Sequence, residues 1–133
     1  MTKTLYDMVY LVDDDHDDAF LIERAFRKVS SETSFVHLGD GSDFLRCVNE
    51  GELKDETGLV LLDINMPRVS GFDVLKKLEG QSIKDKLTFV VFSTSEEEQD
   101  RKTALALGAK RFATKPYSFS ELLDFAGSVL QET

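Results

Sequence analysis

A chain of 133 residues, 41% hydrophobic and 31% charged, has room for one domain with a proper core and the make-up of an ordinary globular protein. A formal net charge of −9, from 16 basic and 25 acidic side chains, argues against sequence-independent binding to nucleic acid or to an anionic membrane. The one cysteine, Cys47, cannot form an internal disulfide, the start MTKTLYDMVYLVDDD lacks a signal peptide's apolar region, and no apolar run spans a bilayer; a cytoplasmic protein is expected.

The first apolar run, MVYLV (8–12), reads as a strand and runs straight into Asp13, Asp14 and Asp15. Like charges about 4 Å apart repel by roughly 4 kcal/mol at an effective dielectric near 20. Either these carboxylates face water separately or a positive charge belongs between them. Ile22, Ala25, Phe26 and Val29 then recur at helical spacing. SFVHL (34–38) is a second strand, followed by a shorter helix marked by Phe44, Leu45 and Val48. LVLLD (59–63) is a third, with Gly71, Val74, Leu75 and Leu78 on the helix after it. LTFVVF (87–92) leads to a helix start with a capping-box pattern, Ser95-x-x-Glu98. RFAT (111–114) precedes a second such start, Ser118-x-x-Glu121, and a helix carrying Leu122, Leu123, Ala126, Val129 and Leu130. Segments 51–58 and 79–86 read as exposed loops opposite the strand C-termini.

Strand and helix alternate five times, which predicts an α/β domain over 1–133: a parallel sheet with helices on both faces and right-handed crossovers. Three strands are nearly continuously apolar, as strands buried on both faces are. In such sheets ligands bind beyond the carboxyl ends of the strands. That edge collects Asp13–Asp15, Gly39–Asp43, Asp63 to Pro67, Ser93–Ser95, and Lys115 with Pro116. Asp13, Asp14 and Asp63 converge best if strands one and three are neighbours, as in the flavodoxin-like order 2-1-3-4-5.

Clustered carboxylates suit a hard cation such as Mg²⁺. A lysine and a hydroxyl nearby suit a bound phosphoryl group, which a carboxylate can itself accept. Neither GxxxxGK[ST] nor GxGxxG occurs, so a phosphoryl donor must be another phosphorylated molecule. Plainer readings stand beside these. Asp15, Asp17 and Asp18 suit a solvated helix start, and Gly39-Asp40-Gly41 a turn. EEEQD (96–100) suits a solvated helix face, and Cys47 helix packing. His16 and His37 read as structural or exposed, and Asn65 as a turn residue.

Taken together, LVDDD, LLDINMP, VVFSTS and ATKP, in that order, resemble the receiver domain of bacterial two-component response regulators across essentially the whole chain. The resemblance implies the flavodoxin-like (βα)5 fold and Asp63 as phospho-acceptor. It makes Asp13 and Asp14 the acidic pair that binds Mg²⁺, or Mn²⁺ in its place, together with Asp63 and the backbone carbonyl of Asn65. Ser93 becomes the switch hydroxyl, Lys115 the lysine that contacts the phosphoryl group, Phe112 a rotating aromatic and Pro116 a cis-proline. Gly71 matches a glycine after the acceptor.

The sequence departs from the family pattern in places. Ser93 stands where Thr is commoner, Phe112 lacks a Tyr hydroxyl, and the stretch before Asp63 is long, which assigns extra length to 51–58. DDDHDDAFLIERAF is similar to single-domain regulators of bacteriophytochrome kinases. The implied partners are a sensor histidine kinase or histidine phosphotransfer protein and a downstream protein read on the face of the fourth helix, fifth strand and fifth helix. A homodimer is left open; no nucleic acid, membrane or separate output domain is expected. The expected protein is a signalling domain rather than an enzyme. A Mg²⁺-dependent aspartyl phosphatase or phosphotransferase, a non-phosphorylated scaffold and a flavodoxin are the rivals.

Overall fold

The computed structural model describes residues 5–53 and 58–131. Its strands are β1 (Met8–Val12), β2 (Ser34–Leu38), β3 (Gly58–Leu62), β4 (Leu87–Ser93) and β5 (Arg111–Thr114). The helices are α1 (His16–Val29), α2 (Gly41–Asn49), α3 (Gly71–Leu78), α4 (Ile83–Lys86), α5 (Glu98–Ala106) and α6 (Phe119–Gln131). All strand pairs are parallel, in the order β2-β1-β3-β4-β5. This is the expected flavodoxin-like arrangement.

Side-chain alternation explains the two layers. Met8, Tyr10 and Val12 of β1, Val60 and Leu62 of β3, and Leu87, Phe89 and Val91 of β4 share one core with Phe44 of α2 and with Val74, Leu75 and Leu78 of α3. Val9, Leu11, Leu59, Leu61, Val90 and Phe92 point the other way, against Ile22, Ala25 and Phe26 of α1 and Ala126, Val129 and Leu130 of α6. The three inner strands are thus apolar on both faces, whereas β2 and β5 at the edges stay partly exposed.

Some local expectations change. The 79–86 segment holds the one-turn α4. The Ser95–Glu98 box does not form, because the Ser95 hydroxyl donates to Asp100 (2.6 Å) and its carbonyl accepts from the Thr114 hydroxyl (3.0 Å), so α5 begins with Glu97 at its cap. A box forms instead at α3. The Ser70 hydroxyl accepts from the Asp73 amide and the Asp73 carboxylate from the Ser70 amide, an Asp doing the work for which Glu or Gln is the usual signal. Ser118 does cap α6 through the Glu121 amide. Of the loop given extra length, residues 54–57 lie outside the described residues.

Candidate functional site

The strand register assembles the site. The Asp13 amide continues the β1–β2 ladder to the Leu38 carbonyl (3.1 Å), and the Asp63 amide the β1–β3 ladder to the Val12 carbonyl (3.0 Å). Asp13 and Asp63 therefore follow adjacent strands. Ser93 ends β4, and the Lys115 amide, just past β5, donates to the Ser93 carbonyl at 2.7 Å. Short local turns then fix the two buried carboxylates. Asp13 Oδ1 accepts from the Asp15 amide (2.9 Å) and Asp63 Oδ1 from the Asn65 amide (3.0 Å).

Lys115 is the counter-charge that the aspartate run calls for. Its Nζ lies 2.6 Å from Asp13 Oδ2, 3.0 Å from Asp18 Oδ2 and 3.3 Å from Asp63 Oδ2. The Lys115 side chain is 9% exposed, that of Asp13 0% and that of Asp63 8%. Burial is the strongest influence on Asp13 and raises its carboxyl pKa above the ordinary value, against the pull of Lys115 and the Asp15 amide. Burial also disfavours the Lys115 charge. The hydrogen bond to Asp13 and the charges of Asp13 and Asp63 outweigh it, and the ammonium pKa lies above that of an ordinary lysine.

Asp18 is the member that sequence reasoning missed, having placed it in a solvated helix start. Its neighbour Asp15 is the N-cap of α1, accepting from the Asp18 amide at 3.0 Å, while the Asp18 side chain turns back to Lys115. Helical side chains tilt toward the N-terminus, so an acid in the first turn of a helix that leaves this edge leans over the site. That was the available signal.

Ser93 is fully buried, and its hydroxyl accepts from Asn65 Nδ2 (3.1 Å) and from the Ser95 amide (3.3 Å). Asn65 is therefore more than a turn residue: its side chain ties the loop after β3 to the end of β4. Phe112 on β5 is half-buried against the core that also takes Ala104 of α5. The bond before Pro116 is trans rather than cis, as are all peptide bonds among the described residues. Trans is the intrinsically preferred form of an X–Pro bond by about 0.5–1 kcal/mol, and Lys115 reaches its three carboxylates with it.

Gly71 opens α3 so close to Asp63 that a Cβ on it would meet the Asp63 carbonyl oxygen at 2.5 Å. The residue is glycine because the backbone of Asp63 occupies the space a side chain needs.

The donor set suits a hard divalent cation. Asp13, Asp14 and Asp63 each offer a carboxylate oxygen, all within 4.8 Å of one another, with Asp14 exposed. Asp13, Asp18 and Asp63 contact the one ammonium and Asp14 lies beside Asp13 and Asp63, which leaves a surplus of negative charge to be balanced.

Over residues 9–126 the sequence matches the family model of the response regulator receiver domain. The chain belongs to that family. This receiver domain is 31% identical over 118 residues to FilR2, a probable methanogenesis regulatory protein of Methanothrix harundinacea, covering 86% of the chain and 76% of FilR2. It is 32% identical to the regulatory protein VanR of Enterococcus faecium, covering 88% of the chain but only 47% of VanR. The chain thus spans about half the length of some curated relatives it matches. Its fold is that of the phosphorylated cyanobacterial phytochrome response regulator RcpA, with TM-score 0.83 at 24% identity over 93% of this chain and 91% of RcpA. The Mn²⁺-bound response regulator Rcp1 has TM-score 0.81 at 22% identity over 96% of each chain. No helix among the described residues is long and apolar enough to cross a membrane.

Proposed function

We propose that this receiver domain accepts a phosphoryl group on Asp63 from the phosphohistidine of a sensor histidine kinase or a histidine phosphotransfer protein. One observation carries the reading: the Lys115 ammonium touches both Asp13, at 2.6 Å, and Asp63, at 3.3 Å, at the edge where their strands end. A carboxylate oxygen of Asp63 forms a bond to phosphorus as the P–N bond breaks, and the imidazole leaves with the electron pair. Lys115 stands ready to meet the charge on the phosphoryl oxygens, with Asp13 and Asp18 holding the ammonium in place.

Mg²⁺, or Mn²⁺ in its place, would be held by Asp13, Asp14, Asp63 and the backbone carbonyl of Asn65. When bound, the ion supplies positive charge to the transferring oxygens. The Ser93 hydroxyl, now engaged by Asn65 and Ser95, is the group that turns to the phosphorylated acceptor. Because Ser95 is tied to Asp100 and Thr114, movement there reaches α5 and β5, where Phe112 lies, and the output is read by protein contact on the α5–β5–α6 face. A bacteriophytochrome is the first kinase to test.

The test is intact mass after incubation with Mg²⁺ and acetyl phosphate. One added phosphoryl group, dependent on metal and absent in Asp63→Asn, is expected. Uptake by the variant at a single site would move the acceptor elsewhere. Absence of uptake by the native chain would favour the scaffold reading, and steady turnover of phosphate esters the phosphatase.

A further inference from the structure

Asp14 is the exposed member of the carboxylate cluster, and among the described residues its side chain has no hydrogen bond or ion pair. Nothing attached to the carboxylate aims it. Its direction is inherited from the backbone, and above all from the peptide plane joining Asp13 to Asp14. That plane lies one residue beyond the end of β1, where the ladder's support runs out.

The neighbouring strand supplies the support. His37 lies on β2, opposite Leu11 in the parallel register. Its imidazole reaches past the strand end, and Nε2 stands 2.8 Å from the Asp13 carbonyl oxygen. A carbonyl can only accept, so Nε2 carries the proton and donates. The ring is itself restrained: His16, in the first turn of α1, meets it edge-on, with ring centroids 5.5 Å apart and planes at 84°. With the Asp13 amide on Leu38 and its carboxylate on the Asp15 amide and Lys115, every polar group of Asp13 is held.

We infer that His37 is a positioning residue for the acidic pair: by fixing the Asp13 carbonyl it sets the peptide plane that aims Asp14 at the divalent cation. This rests on the metal-binding reading above. Groups that orient a metal's ligands in this way commonly contribute 10–100-fold to affinity.

Two substitutions separate the bond from the bulk. His37→Phe keeps a flat ring against His16 and strong strand propensity but has no donor. His37→Gln places an amide N–H near the position of Nε2. Mg²⁺ is titrated into the native chain and both variants by calorimetry, with no phosphoryl donor present, and the Asp14 amide resonance is recorded without metal. About tenfold weaker Mg²⁺ binding in His37→Phe is expected, with His37→Gln within about twofold of the native chain. The Asp14 resonance should move in the first variant and return in the second.

Native-like affinity in His37→Phe overturns the proposal, and so does an equal loss in both variants. If the native chain itself binds no Mg²⁺, the metal reading fails instead. The Asp14 resonance then decides His37 alone, and an unmoved resonance in His37→Phe refutes it. Should His37→Phe fail to fold, His37→Val carries the same comparison on the edge strand.

Discussion

Lys115 carries more of this site than any other side chain, because it is the ammonium among Asp13, Asp18 and Asp63. Removing one partner of a buried charge pair leaves the others uncompensated, typically at about 3–5 kcal/mol. Lys115→Met is therefore expected to lose about 3 kcal/mol in urea unfolding with EDTA present. An unchanged midpoint would mean that the carboxylates are solvated well enough without it. The pH dependence follows from the direction of each shift. The Lys115 pKa is raised on folding, so its stabilisation is fully present below pH 10.5 and is lost as pH rises through the higher folded value. The Asp13 pKa is also raised, by burial first, so ionising it costs stability as pH climbs from 3.8 to its folded value. In Lys115→Met the alkaline decline attributable to this lysine should vanish and the acid-side cost of Asp13 should grow. Stability curves measured in EDTA across pH 3–11 check both.

At the scale of elements, α3 and α5 are built for opposite purposes. α3 is anchored by Val74, Leu75 and Leu78 and by the Ser70–Asp73 box, and its Gly71 fits under the Asp63 backbone. Gly71→Ala would drive a methyl into that carbonyl. It is expected to destabilise by about 1–3 kcal/mol, the usual range for overpacking, and to slow phosphoryl uptake by displacing the proposed acceptor, Asp63. Denaturant unfolding and intact mass read the two effects separately; native stability in the variant would show that the loop yields freely. By contrast, α5 buries only Ala104 and is otherwise held by polar ties: Ser95 to Asp100, and Lys84 Nζ to the Leu107 carbonyl at 2.7 Å. Few buried apolar contacts mark a segment of low local stability. The helix next to Ser93 is thus less firmly anchored than α3, which suits the output face proposed for it.

For the molecule as a whole, the proposed metal binding would make the native state, and not the unfolded chain, a receptor for divalent cations. A ligand that binds only the folded form adds about 2.7 kcal/mol at one hundred times its Kd. Mg²⁺ should accordingly raise the melting temperature of the native chain and leave that of Asp14→Asn little changed. A calorimetric scan with and without EDTA tests this, and an equal rise in both would place the ion away from the acidic pair. Apolar cores pack against both faces of the sheet that carries this edge.

Much of this was legible in the sequence. β1, β2 and β5 have the expected limits because apolar runs of that length stop where charge or turn residues begin. A parallel sheet brings all its carboxyl ends to one edge, which gathers Asp13, Asp63, Ser93 and Lys115 there, although the turn after β2 caps α2 instead. Local pattern could not supply the contacts between segments far apart in the chain. That Asp18 joins Lys115, that Asn65 holds Ser93, that Thr114 and Asp100 claim Ser95 from its helix, and that His37 takes the Asp13 carbonyl all depend on through-space distance. Periodicity and motif spacing determined which residues reach the edge. Tertiary packing decided their partners there, because a hydrogen bond is fixed by a few tenths of an ångström that no residue specifies by itself.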